Sequence, residues 1–175
     1  MTWTRRWLVP AVPRGTRDTK RPKRRSRPQT YWRRFEPAVL RAETKARARA
    51  LQMLYAWELT GNLPMSETAT RLARLTGPDP LVFDRAEALA TGVVEAAESL
   101  DRETEAAADN WRLSRIGTVE RNILRLATYE LRLGEEPPKV VINEAVQLAH
   151  WFAGAKAPAF INGVLDRIAH SLGRL

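Results

Sequence analysis

The chain has 175 residues, with 29 Lys plus Arg against 20 Asp plus Glu, a formal net charge of +9 and a sequence pI near 10.7. A hydrophobic share of 44% beside 28% charged residues suits one compact domain and excludes a collagen-like or wholly disordered chain, while the basic excess makes a polyanion the first partner to consider. The absence of cysteine rules out disulfide staples, thiol nucleophiles and Cys-bearing metal sites, and no apolar run reaches the roughly 18 residues of a membrane span, so a soluble cytoplasmic protein is expected.

The charge is unevenly spread. Residues 1–40 hold 12 Lys plus Arg and two acids, Asp18 and Glu36, a net of +10; residues 41–175 hold 17 basic and 18 acidic residues, a net of −1. The first segment also carries Pro10, Pro13, Pro22, Pro28 and Pro37, the run Lys20-Arg21-Pro22-Lys23-Arg24-Arg25, and no sustained apolar period. Such a segment cannot bury a core and reads as a disordered basic arm. It serves either non-specific phosphate attraction or only solvation. A further reading starts translation near Val39 or Leu40, in which case the whole-chain charge says nothing about partners.

From Arg41 onward the apolar residues recur at helical spacing, and the helical domain is assigned to residues 41–175. The spacing predicts helices over 42–60, 66–76, 80–99, 101–109, 116–133, 140–153 and 158–172. Gly61, Gly77, Gly134 and Gly154 follow periodic runs, while Pro80 and Pro158 open new ones. Asp79 before Pro80 is the expected N-cap. Val82, Ala86, Leu89, Val93, Ala97 and Leu100 form the clearest apolar row, which makes the third helix the expected centre of the bundle. Lys139 to Ile142 has β-branched content, but no second strand stands ready to pair with it, so it is assigned to a helix start. Gly163 interrupts a helical row and is expected where another element approaches closely.

Chemistry-bearing motifs are few. His150 and His170 lie in separate helices without HExxH spacing or a triad partner, and phosphate-cradling GxGxxG or GxxxxGK[ST] loops are absent from the sequence. No catalytic residue, metal or cofactor is expected, and the chain is not expected to be an enzyme.

Binding chemistry is better represented. On the first helix Arg41, Lys45, Arg49 and Gln52 fall at i, i+4, i+8 and i+11, within an arc of about 80°, with Tyr55 at its edge. Cations that neutralise phosphates beside an aromatic that stacks a base suit unpaired RNA; the same spacing also describes a solvated face with Tyr55 in the core. A second row on the last helix interleaves Lys156, Phe160, Gly163 and Arg167, where Phe160 reads equally as an edge of the core. Arg47 falls on the apolar side of its helix, and Glu130 falls within the apolar arc of Ile116, Val119, Ile123, Leu126 and Ala127. Because a buried unpaired charge is costly, the two are expected to pair. Trp151 falls on the polar side of its helix and suggests a protein contact or partial burial under a loop.

Separated blocks along the chain carry a resemblance. Lys45-Ala46-Arg47-Ala48-Arg49-Ala50-Leu51-Gln52-Met53-Leu54-Tyr55-Ala56-Trp57-Glu58-Leu59 resembles the opening helix of the bacterial NusB family. Val119-Glu120-Arg121-Asn122-Ile123-Leu124-Arg125-Leu126-Ala127-Thr128-Tyr129-Glu130-Leu131 resembles its central helix. Val141-Ile142-Asn143-Glu144-Ala145 and Phe160-Ile161-Asn162-Gly163-Val164-Leu165-Asp166 resemble its last two. The resemblance implies an all-α, seven-helix fold that binds boxA-type single-stranded RNA with the small-subunit ribosomal protein NusE and joins elongating RNA polymerase to suppress termination. It also implies RNA contacts by Lys45, Arg47, Gln52, Tyr55 and Phe160, and a face toward the ribosomal protein at Glu120. The full set expected at the RNA is Arg41, Lys45, Arg47, Arg49, Gln52, Tyr55, Lys156 and Phe160, with Glu120 and Trp151 toward protein partners and a homodimer as a further candidate assembly.

The sequence departs from the family pattern at Glu43 and Thr44, where members often carry arginines, and in its 40-residue arm. The helical domain is also similar to the N-terminal module of some ribosomal RNA cytosine methyltransferases, but this chain leaves no room for their cofactor-binding domain. The stronger rival is a protein-only adaptor whose basic stripe serves solubility.

Overall fold

The computed structural model describes residues 41–61, 63–108 and 115–175; the basic arm of residues 1–40 lies outside them. The described residues form seven α-helices: α1 Ala42–Thr60, α2 Met65–Thr76, α3 Pro80–Glu95, α4 Ala97–Ala107, α5 Thr118–Leu133, α6 Pro138–Phe152 and α7 Ala157–Ser171. Among them, no helix is long and apolar enough to cross a membrane.

The central helix is α5, not α3. It packs against α1, α3, α4, α6 and α7. Ile123, Leu124, Leu126 and Leu131 on α5 are all but sealed from solvent, each gaining about 1.5–3 kcal/mol by burial. Yet Asn122, Arg125, Thr128 and Glu130 on the same helix are buried too. The α3 row buries Val82, Phe83, Ala86, Leu89, Ala90 and Val93, but the helix keeps a solvent face that includes Leu81 at 81% exposure. A clean apolar stripe marks a helix with one covered side. A helix covered on nearly all sides buries polar residues along with apolar ones, so its pattern carries no clean stripe.

Local signals explain the helix ends. Gly134 closes α5 in the left-handed region at φ 72°, its N–H donating to the Glu130 carbonyl, where a side chain would be strained. Pro138 opens α6 in the first turn, and Lys139 to Ile142 are helical, as expected. Asp79 does precede α3 with an extended backbone, but its side chain makes no capping bond; only its carbonyl serves, accepting the Phe83 N–H at 3.0 Å. The long third helix expected over 80–99 divides at Ala96, whose carbonyl accepts both the N–H and the hydroxyl of Ser99. Leu100 beyond the bend is fully buried, so the apolar row persists through it.

Candidate nucleic-acid interface

The α1 stripe is present as a surface. Arg41 precedes the helix and is exposed, Lys45, Arg49 and Gln52 are half-buried, and Tyr55 is 41% exposed. Arg49 Nη1 donates to Gln52 Oε1 at 2.8 Å, so the amide carbonyl is occupied and the NH2 group remains able to donate. Burial pulls the Arg49 guanidinium below its ordinary value. Among the described residues no carboxylate pairs with Arg41, Lys45 or Arg49. Three uncompensated cations therefore follow one another along one face, with an aromatic ring beyond them.

Arg47, in the same helix, is 3% exposed and points the other way. Its Nε lies 3.0 Å from both Glu130 oxygens, and Nη2 sits 2.9 Å from Oε1 without a well-aligned hydrogen bond. Nη1 lies 3.7 Å from Glu144 Oε2, and Glu144 Oε1 accepts the Thr44 hydroxyl at 3.1 Å. Burial lowers the guanidinium's pKa, but the hydrogen bond and charge of Glu130, with Glu144 and Glu136 behind, more than offset this and hold it above its ordinary value. The expected Arg47–Glu130 pair is thus in place. The same pair corrects the expectation that Arg47 contacts RNA: a guanidinium sealed under two carboxylates offers no donor to a strand on the surface.

On α7, Lys156 is exposed immediately before the helix, and Phe160 is half-buried with its ring packed against the core. Arg167 donates from Nη1 to the Ala107 carbonyl at 2.9 Å, where α4 ends and its last carbonyls lack helical partners. Gly163 is not a close-approach point, since a Cβ there would meet nothing within 4 Å. Trp151 is half-buried and meets Phe152 edge to face, with ring centroids 6.3 Å apart and planes at 84°. Phe152 is the more exposed of the two at 39%, a surface aromatic that sequence reading passed over beside its larger neighbour.

Glu120 is half-buried in the first turn of α5, and its carboxylate folds back over Gly117 at the helix start, where the dipole favours a negative charge.

The two stripes belong to helices that both pack on α5 and do not pack extensively on each other. Arg47 meets Glu130 late in α5 and Glu58 meets Arg121 early in it, so α1 runs antiparallel to α5. The short link of residues 134–137 turns α6 back along α5, and residues 153–156 turn the chain again into α7. The C-terminal half of α1, the end of α6 and the start of α7 therefore lie toward the end of the bundle where α5 begins. This topology puts Tyr55, Phe152, Lys156 and Phe160 toward one end.

A second polar network was not foreseen. Glu58 accepts from Arg121 and from Asn122 Nδ2 at 2.8 Å, with Arg125 Nη1 at 3.7 Å. Arg125 also grips Asp101 with both Nε at 2.7 Å and Nη2 at 2.6 Å. Burial, and then the like charge of Arg125, pull the Arg121 guanidinium below its ordinary value. These groups join α1, α4 and α5 and are committed to each other. The available signal was Arg125 itself, a cation between Leu124 and Leu126 in an apolar block.

Residues 44–170 match the family model described as NusB family. The chain is 41% identical over 130 residues to the transcription antitermination protein NusB of Anaeromyxobacter dehalogenans (strain 2CP-1), spanning 74% of this chain and 91% of that protein. To the protein of the same description from Sorangium cellulosum it is 42% identical over 135 residues, spanning 77% and 96%. Among solved structures, it is similar to the crystal structure of antitermination factors NusB and NusE in complex with dsRNA, with a TM-score of 0.68, 30% identity, and 76% of this chain and 99% of that chain covered. It is also similar to NusB of T. maritima, with a TM-score of 0.66, 29% identity, and 73% and 89% covered.

Proposed function

The chain belongs to the NusB family, and from that premise we infer that it is a transcription antitermination factor that binds RNA together with NusE and acts with elongating RNA polymerase. The RNA is a boxA-type single strand of a ribosomal RNA leader. It runs along Arg41, Lys45, Arg49 and Gln52, reaches Tyr55, and is received at the start of α7 by Lys156 and Phe160. Glu120 and Trp151 lie toward the protein partners. The protein works in the cytoplasm and carries out no catalysis of its own.

The observation that supports this reading best is the contrast within α1. Arg47 is neutralised inside, whereas Arg41, Lys45 and Arg49 have no carboxylate partner among the described residues. Unpaired cations in a row suit phosphates, and an exposed ring beside them suits a base that is not already paired, which favours a single strand over a duplex.

The test is a salt titration of full-length protein on boxA-type, scrambled and duplex RNA, with and without NusE. Replacing Lys45 and Arg49 by alanine should make the slope of log K against log salt shallower by roughly 1.4, at about 0.7 per phosphate of a single strand. Equal affinity for all three RNAs, with an unchanged slope in the variant, would favour the protein-only adaptor.

A further inference from the structure

The start of α1 is built against its own electrostatics. Arg41, Lys45 and Arg49 stand four residues apart on one face, a spacing at which like charges repel. Arg41 at the N-cap also stands at the positive end of the helix dipole. Arg41 at the N-cap supplies no side-chain capping bond, and Glu43 is the acid of the first turn. Left to itself, this end should fray.

What lies beneath it is the opposite in charge. Thr44 and Arg47, on the inner face of the same two turns, are 7% and 3% exposed. They meet Glu130 of α5 and Glu144 of α6 through the contacts given above. One guanidinium against two carboxylates leaves this inner cluster one negative charge in excess, on the side of the helix turned away from the cationic row. Ile123, Ala127, Val141 and Ala145, among others, line the space around Arg47, so Arg47 and Glu130 meet in largely apolar surroundings that strengthen their attraction. Apolar side chains of similar volume could have filled this place with equal or greater stability; an ion pair adds a fixed register.

We propose that Thr44, Arg47, Glu130 and Glu144 are a clamp that holds the first two turns of α1 helical before RNA arrives, so that Arg41, Lys45 and Arg49 meet the strand as a preformed row. These four are positioning residues. Arg47 promotes RNA binding without touching RNA. The inference rests on the RNA-binding reading above and adds to it the reason why a buried arginine belongs to an RNA-binding helix.

The test uses full-length protein, a boxA-type RNA oligonucleotide, and hydrogen exchange of the α1 backbone amides in the absence of RNA. In Thr44→Val/Glu144→Gln the amides of residues 45–49 should exchange faster while those of α5 stay protected. If the formed fraction of the helix start drops to one-tenth, affinity should fall about tenfold, with the salt slope unchanged because the same cations finally bind. The sign is decisive: simple loss of a negative charge near the RNA would tighten binding.

Arg47→Met alone leaves the buried Glu130 and the half-buried Glu144 uncompensated and need not fold, so it is compared with Arg47→Met/Glu130→Leu. The double variant should bind RNA with the wild-type salt slope. A slope shallower by about 0.7 would mean that Arg47 itself meets a phosphate and would overturn the clamp. Unchanged exchange, or unchanged or tighter binding, in Thr44→Val/Glu144→Gln would also overturn it. Wild-type protein that binds no RNA would instead overturn the functional reading on which the clamp rests.

Discussion

Gly92 of α3 and Tyr129 of α5 share one space: a Cβ built on Gly92 would overlap the phenol oxygen and the ring carbon that bears it. Helix propensity favours replacing this glycine by alanine by about 1 kcal/mol, but the overlap involves the ring as well as its tip. Gly92→Ala should therefore destabilise the protein, by about 1–3 kcal/mol in chemical denaturation, as other overpacked sites do. A variant as stable as the wild type would mean that Tyr129 swings out of its place between the helices.

Gly163 predicts the reverse. It too lies inside a helix, but nothing stands over it. Gly163→Ala should stabilise the fold by about 0.5–1 kcal/mol, because the alanine loses less backbone entropy and meets no neighbour. A lower melting temperature would contradict the open surface seen at this position.

Tyr55 and Phe160 should separate binding from stability. Each alanine variant should weaken RNA binding by about 1–3 kcal/mol if the ring stacks on a base. Tyr55 is exposed, so Tyr55→Ala should cost less than about 0.5 kcal/mol of stability. Phe160 packs against the core, so Phe160→Ala should cost distinctly more. RNA affinity unchanged in the folded double variant would remove both rings from the interface.

Glu58 holds two arginines apart from one another's charge. Glu58→Gln should destabilise by about 1–3 kcal/mol, below the 3–5 kcal/mol of a fully buried pair because about a fifth of its side chain is exposed. Arg121→Met in the same background should recover part of the loss by removing one of the two facing cations. A double-mutant cycle with no coupling would show that solvent already screens them.

Much of the architecture was legible in residue order. Apolar spacing of three and four, with Gly61, Gly77 and Gly134 after helices and Pro80 before one, marks the helices to within about two residues except at the division of α3 from α4, which no glycine or proline signals. The NusB-like blocks were legible because each is a run of adjacent residues. The cationic row on α1 was legible as well, since four-residue spacing alone puts Arg41, Lys45 and Arg49 on one face.

What only the folded chain decided is where a polar group goes when its helix is covered on several sides. Arg47 and Glu130 are 83 positions apart, and each is tolerable inside only because the other is there. Periodicity flagged both as misplaced, yet could not say that Glu144 and Thr44 would complete the set. The same holds for Arg125 with Asp101 and Glu58, and for the contrast between Gly92 and Gly163. A helix's own sequence determines which residues share a face; the solvation of that face, the charge state it can bear and the room beside a glycine depend on neighbours that are distant along the chain.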